Sequence, residues 1–149
     1  MRASWITALL FTLIFAPAAP VLAQEIGVVK SVEGDVVIRR GGGAVAAIIG
    51  QSVFLYDELQ TSAGGSVGIM LDDGTALAIG GASDVVLETF VFSPSDDLLD
   101  LVIRVLTGRL IYSSGKIGMA RPEQVRIETP RLVVGTRGTR FAVIVPPAN

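Results

Sequence analysis

The sequence has 149 residues, of which 50% are hydrophobic and 17% charged, and its formal net charge is −2. These values are typical of one globular domain, and they exclude a disordered chain, a coiled coil and a nucleic-acid-binding domain with a large net positive charge. The chain has neither Cys nor His. Disulfides, thiol nucleophiles and Ser-His-Asp triads are therefore excluded, and the commonest metal ligand is missing.

Residues 1–23 have the pattern of a secretory signal peptide. Arg2 precedes the apolar run Ile6–Ala16, and small residues stand at the −3 and −1 positions of a cleavage site after Ala23. The pattern predicts an exported domain over residues 24–149 with no membrane span. A periplasmic location is favoured, and a secreted or surface-bound location is the alternative. The alternative is an uncleaved anchor, but a spanning helix needs about 20 apolar residues, and two prolines interrupt the end of this run.

Residues 24–149 predict a single all-β domain. Short runs rich in Val, Ile and Leu alternate with Gly, Asp, Ser and Pro at intervals of about ten residues, and no stretch shows a sustained helical period. This spacing is typical of a sandwich or barrel. The predicted strands are Ile26–Val32, Asp35–Arg40, Ala44–Ile49, Glu58–Thr61, Val67–Leu71, Thr75–Ile79, Val85–Phe92, Leu98–Leu106, Arg109–Tyr112, Gln124–Thr129, Leu132–Val134 and Arg140–Val145.

One hairpin is predicted down to its register. A three-residue loop, Asp72-Asp73-Gly74, with Gly74 left-handed, pairs Leu71 with Thr75 and Ile69 with Leu77. All the large side chains then share one face, and the opposite face keeps Gly68, Met70, Ala76 and Ala78. The two aspartates are interpreted as turn residues, and cation binding is the alternative.

The run Val85–Phe92 is apolar on both sides. Phe90 and Phe92 have the parity opposite to Val85 and Leu87. The run is either a central strand covered on both faces, or its second face meets a partner. Phe90 and Phe92 are therefore a candidate interaction face.

Charge is divided unevenly along the chain. Residues 24–100 contain three basic and twelve acidic side chains, whereas residues 101–149 contain eight basic and two acidic ones. Antiparallel pairing that sets acidic strands beside basic ones explains this division. A nucleic-acid patch is disfavoured by export and by the interleaved Glu residues, and a dipole that steers a charged partner is a further alternative.

No catalytic, metal-binding or cofactor-binding residue is predicted, and the chain is not expected to be an enzyme. Most of the acidic residues lie in turns, which leaves a carboxylate-dependent hydrolase as a distant alternative. The glycine-rich stretch Gly41-Gly42-Gly43 and the pair Gly115-Lys116 both lack the Gly-Lys-Ser/Thr sequence of a phosphate-binding loop.

The C-terminal segment has the most specific pattern. Thr129-Pro130 ends a strand, because proline cannot donate to the ladder. Further on, glycines at 135 and 138 flank Arg137. Arg137 either holds an anionic ligand or has a structural role, capping free carbonyls or pairing with Asp57. We favour the structural role, since a buried unpaired Arg is costly, and expect Arg137→Ala to lower the thermal midpoint.

These residues resemble the FecR domain family. Thr129-Pro130 followed by Arg137-Gly138-Thr139-x-Phe141 is similar to the family's C-terminal signature. Further motifs follow in the family's order and spacing, namely Gly34-x-Val36 with Arg39 and Arg40, Gly50, Asp57-x-Leu59-x-Thr61, Ser66-Val67 and Leu71-x-Asp73-Gly74-Thr75. One departure is Tyr56, where the family has Gly before the Asp.

The resemblance implies a jelly-roll-like antiparallel β-sandwich in which the motif residues are structural. FecR-type regulators also carry a cytoplasmic segment that engages a sigma factor, a membrane helix and a periplasmic part that contacts an outer-membrane transporter. This chain is expected to lack the first two and so not to contact a sigma factor itself. We therefore expect an exported module that binds another envelope protein and no nucleic acid. The alternative is a structural or adhesive component that self-associates as a homo-oligomer.

Overall fold

The computed structural model describes residues 23–136 and 139–147 as an all-β fold. Two short 3-10 turns, Pro94–Asp96 and Pro122–Gln124, and one five-residue helix, α1 (Lys116–Ala120), interrupt the strands. The strands are β1 (Glu25–Glu33), β2 (Val36–Arg40), β3 (Gly43–Ala46), β4 (Ser52–Phe54), β5 (Glu58–Thr61), β6 (Ser66–Leu71), β7 (Ala76–Ile79), β8 (Asp84–Ser93), β9 (Leu98–Ser113), β10 (Val125–Glu128), β11 (Val133–Gly135) and β12 (Arg140–Val145).

The strands form one curled sheet with two halves that share β9. Half A has the order β4-β1-β6-β7-β9-β12, and half B has the order β3-β2-β5-β8-β9-β10-β11. All the pairs are antiparallel except β9–β10. The antiparallel all-β prediction is thus confirmed, and the jelly-roll connectivity implied by the resemblance stays a prediction.

Gly108 marks the point where β9 passes from one half to the other. Residues before it pair with β8, and residues after it pair with β7 and β12. Its φ is +97°, and a Cβ at this position would lie 2.4 Å from the Cα of Ser83. Only glycine satisfies both demands, so the sequence's two predicted strands, Leu98–Leu106 and Arg109–Tyr112, are one strand that bends at a glycine.

The predicted hairpin between β6 and β7 is confirmed. Ile69 pairs with Leu77, the Leu71 amide donates to the Thr75 carbonyl, and Gly74 has a φ of +86°. Val67, Ile69, Leu71, Leu77 and Ile79 are buried on one face. Burial of these side chains fixes the register.

The parity predicted for β8 is wrong beyond Leu87. The register with β9 shifts between Leu87 and Thr89, which is the mark of a β-bulge. The extra residue turns Phe90 to the same side as Val85 and Leu87, and Phe90 is only 4% exposed. Phe92 packs partly buried against the same core. The pair therefore belongs to the interior and does not form an exposed interaction face.

The sequence pattern does not predict two of the observed elements. Strand β4 has only three residues and α1 only five, so neither is long enough to display a period. The inward side chains of both halves, together with Ile117 of α1, form one buried cluster. None of the helices in the described residues has the length and hydropathy that a membrane span requires.

Candidate functional site

Asp57 anchors the turn that follows β4. Its buried carboxylate accepts hydrogen bonds from Arg40 Nε and Nη2, both at 2.7 Å, and from the Phe54 amide at 2.8 Å. The Arg40 guanidinium also lies 4.0 Å from the centre of the Phe54 ring. The hydrogen bond to Asp57 raises the pKa of Arg40 above its ordinary value. The arrangement joins β2 to the turn and leaves no carboxylate oxygen of Asp57 unpaired.

Tyr56 takes the conformation that glycine ordinarily supplies in this turn. Its φ is +69°, and the Asp57 amide donates to the Phe54 carbonyl across the turn. A left-handed conformation costs a non-glycine residue about 1–2 kcal/mol. Tyr at position 56, where the resemblance implies Gly, thus preserves the turn and strains it.

Asp73 does more than the turn role predicted for it. Its Oδ1 accepts from the Thr75 amide at 2.9 Å, and its Oδ2 accepts from the Thr75 hydroxyl at 2.8 Å and the Ile117 amide at 3.1 Å. The Lys116 amide donates to its carbonyl at 2.8 Å. Asp73 therefore fastens the start of α1 onto the β6–β7 hairpin, a long-range role that local sequence cannot show.

The other motif residues brace separate places in the fold. Thr61 donates to the Gly80 carbonyl at 2.6 Å, and Thr129 closes the turn before Leu132. The remaining positions are Gly34 with φ +61° between β1 and β2, Pro130 in the Thr129 turn, Thr139 accepting from the Ser114 amide, and Phe141 stacked 5.1 Å from Tyr112. Arg137 and Gly138 lie outside the described residues. The motif residues that the structure describes do not converge on one site.

The outer face of half B is charged and internally paired; we call it the charged face. Arg104 Nη1 lies 2.9 Å from Glu88 on β8, and Arg104 Nη2 lies 3.2 Å from Glu128 on β10. Arg126 likewise reaches Asp100 at 3.2 Å. The Glu88–Arg104 pair joins an acidic strand to a basic one across the antiparallel pair β8–β9, as predicted, whereas the other two ion pairs cross the parallel pair β9–β10.

The outer face of half A is apolar, and we call it the apolar face. Two rows of paired residues cross β6, β7, β9 and β12; small side chains dominate the second row, and the first ends in the polar residues Ser113 and Arg140. Ile144 stands beside these rows on β12 and is 72% exposed. The rows are Met70–Ala76–Ser113–Arg140 and Gly68–Ala78–Ile111–Ala142.

Recesses with volumes of about 270 and 410 Å³ lie over this face. Lys30 and Arg140 border the first, and Arg109 borders the second. A third recess of about 300 Å³ continues past Ile144 to the Thr129 turn, where Arg131 borders it. The three recesses make a continuous apolar surface with basic residues at its borders.

This surface is suited to contact with another molecule. When a partner removes exposed apolar side chains of a sheet from water, the free energy of the system falls, and this favours binding. The described residues include no group of three acidic side chains arranged to hold a metal ion. The sequence predicted part of this face, because Gly68, Met70, Ala76 and Ala78 were expected to lie together opposite the large side chains. It did not show that β9 and β12 extend that face.

Comparison with known proteins places the chain in a family. The family model described as FecR protein matches residues 57–147. No curated protein and no solved structure matches the chain.

Proposed function

Because the chain belongs to the FecR family, whose members are regulatory and signalling proteins of the cell envelope, we propose that it is an exported sensory module that acts by binding another envelope protein. The observation that carries this proposal is the apolar face of half A. The face is continuous over four strands, and no described segment of the chain covers it.

The polar chemistry of the domain supports a binding role over a catalytic one. The carboxylates of Asp57 and Asp73 are buried and held by hydrogen bonds from the protein itself. Glu88, Asp100 and Glu128 form ion pairs with arginines. Carboxylates engaged in this way are poorly placed to attack a substrate or to transfer a proton, so we propose no enzymatic activity.

A self-associating structural component is the second candidate. Within the described residues, β12 pairs only with β9, so its other edge is open over six residues. An open edge of this length is a template for pairing with another strand, including β12 of a second copy. Binding of another envelope protein and self-association therefore both predict contacts from half A of the sheet, but with different partners.

Site-specific photo-crosslinking in intact cells tests the proposal. A photoreactive residue replaces Ala142 on the apolar face or, as a matched control, Ala44 on β3 of half B; both positions are exposed. We expect position 142 to form an adduct with one heterologous envelope protein and position 44 to form none. Adducts only between copies of this chain would establish self-association instead, and equal labelling from both positions would contradict the proposed surface.

A further inference from the structure

The basic residues around the apolar face differ from the other described ones in having no partner in the described part of the chain. Four of the arginines elsewhere form ion pairs with carboxylates, Arg39 binds Gln60, and Lys116 lies over the Phe92 ring. In contrast, no side-chain hydrogen bond or ion pair within the described part of the chain involves the other four basic residues. These are Lys30, Arg109, Arg131 and Arg140, and all four border the recesses of the apolar face.

We infer that the apolar face binds a segment of a partner protein in which apolar side chains are bordered by carboxylates. This inference rests on the proposed function and specifies the chemistry of the partner. Apolar side chains of the segment would fill the recesses above Ala78 and Ala142, and its Asp or Glu residues would pair with the unpartnered cations. Such charges act mainly on partner choice and on the rate of association.

The residues around the recesses favour an acidic partner over a basic one. None of the side chains that line the three recesses is acidic in the described ranges. A basic segment would therefore meet Lys30, Arg109 and Arg140 without any compensating charge, which is costly at an interface. Charge complementarity thus selects a partner of the opposite sign.

The same four cations argue against the two other occupants. In a symmetric pair of copies joined face to face, each apolar face would set its basic residues against those of its partner. A membrane surface would suit the charges, but surface-binding elements insert protruding Trp, Phe or Leu side chains. The floor here consists of recessed Gly and Ala residues between Met70, Ile111 and Ile144, which fits inserted side chains of a protein.

The chain provides its own reporter, because it contains only two lysines, Lys30 and Lys116. A water-soluble carbodiimide joins a lysine amine to a carboxylate in direct contact with it. When intact cells that express the full chain are treated in this way, we expect an amide between Lys30 and an Asp or Glu of a heterologous protein. Lys116 is also exposed but lies on α1, away from the recesses, and is expected to form no such link.

Two variants separate this inference from the proposed function. Lys30→Arg keeps the charge and removes the amine, so it should abolish the amide link and leave the photo-adduct at position 142 intact. Arg140→Glu should lower the yield of that photo-adduct about tenfold, corresponding to about 1.4 kcal/mol, whereas Arg39→Glu on the charged face should leave it unchanged.

Each other outcome overturns the acidic-partner inference. If the photo-adduct at position 142 forms but Lys30 links to no heterologous carboxylate, and Arg140→Glu has no effect, the binding role stands without an acidic partner. If Lys30 links only to a carboxylate of a second copy, the occupant is this chain. If the purified protein floats with phosphatidylglycerol vesicles and Arg140→Glu prevents this, the occupant is an anionic membrane. Absence of both adducts from a chain whose sole substitution is the photoreactive residue at position 142 contradicts the proposed function itself.

Discussion

The outer faces of the two sheet halves use their side chains in different ways. On the charged face of half B, Arg104 bridges Glu88 and Glu128 across three neighbouring strands. On the apolar face of half A, the corresponding positions hold Ala78, Ile111 and Ala142, and the cations at its borders have no partner among the described residues. The two faces share β9, so one strand supplies both kinds of surface.

This difference separates stability from binding. The charged face satisfies its own groups, so a change there is expected to alter the free energy of unfolding slightly and partner binding not at all. The apolar face makes few contacts outside the sheet, so a change there is expected to alter binding with little effect on stability.

Gly108→Ala should have the largest effect, because it disrupts the strand that both halves share. The added Cβ would clash with Ser83, and alanine would be forced to a φ of +97°. Overpacking and backbone strain together predict a loss of about 3 kcal/mol or more in the free energy of unfolding. Urea denaturation measures this loss in the free energy of unfolding. Gly135→Ala is the control, since a Cβ there meets no atom within 4 Å, and an equal loss in both variants would contradict the role of Gly108.

Asp57→Ala should destabilise the protein by about 2–3 kcal/mol. It removes a buried carboxylate that accepts three hydrogen bonds, and it leaves the Phe54 amide and the Arg40 guanidinium without their partner. Asp100→Ala, which breaks a more exposed pair with Arg126, should cost less than about 1 kcal/mol. Thermal unfolding of the two variants compares a buried pair with a surface pair, and equal midpoints would contradict the assignment.

The sequence allowed the local part of this fold to be predicted. Alternation of large and small side chains determined the β6–β7 register, because a slip of one residue would expose Leu71 and Leu77. The same reasoning failed at Phe90, because a bulge adds one residue without any mark in the alternation. It also divided β9 in two, because a glycine that bends a strand resembles a glycine that ends one.

The candidate site depended on pairings that alternation alone does not reveal. The outward parity of Ala78 was predictable, but its neighbours Ile111 and Ala142 come from strands more than thirty residues away. Likewise, the sequence shows an excess of basic residues after position 100. Only the structure shows that Arg104 and Arg126 form ion pairs, and that Arg109 and Arg140 have no partner among the described residues.

Ile144→Glu tests the apolar face directly. Ile144 is 72% exposed on an edge strand, so the change in the free energy of unfolding should stay within about 0.5 kcal/mol. A charge inside a buried contact should lower the yield of the partner photo-adduct at position 142 at least about tenfold. Ala44→Glu, at an exposed position on β3 beside Arg39 on the charged face, should leave that yield unchanged. Equal losses from both substitutions would mean that the two faces do not differ in function.

Tyr56→Gly should have the smallest effect, and the opposite sign. Glycine relieves a left-handed strain of about 1–2 kcal/mol but gives up about 0.5–1 kcal/mol through the greater freedom of the unfolded chain. Because Tyr56 is 69% exposed, its side chain contributes little packing, and we expect a net gain of up to about 1 kcal/mol in the free energy of unfolding. Tyr56→Ala keeps the strain and should give no gain, so the pair of variants separates the effect of the backbone from that of the side chain.

Position 56 lies at the end of the turn after β4 and does not line the apolar recesses, so the photo-adduct at position 142 should persist in both variants. Loss of that adduct on removal of the Tyr56 ring would extend the binding surface around the end of the sheet and break the division between the two faces.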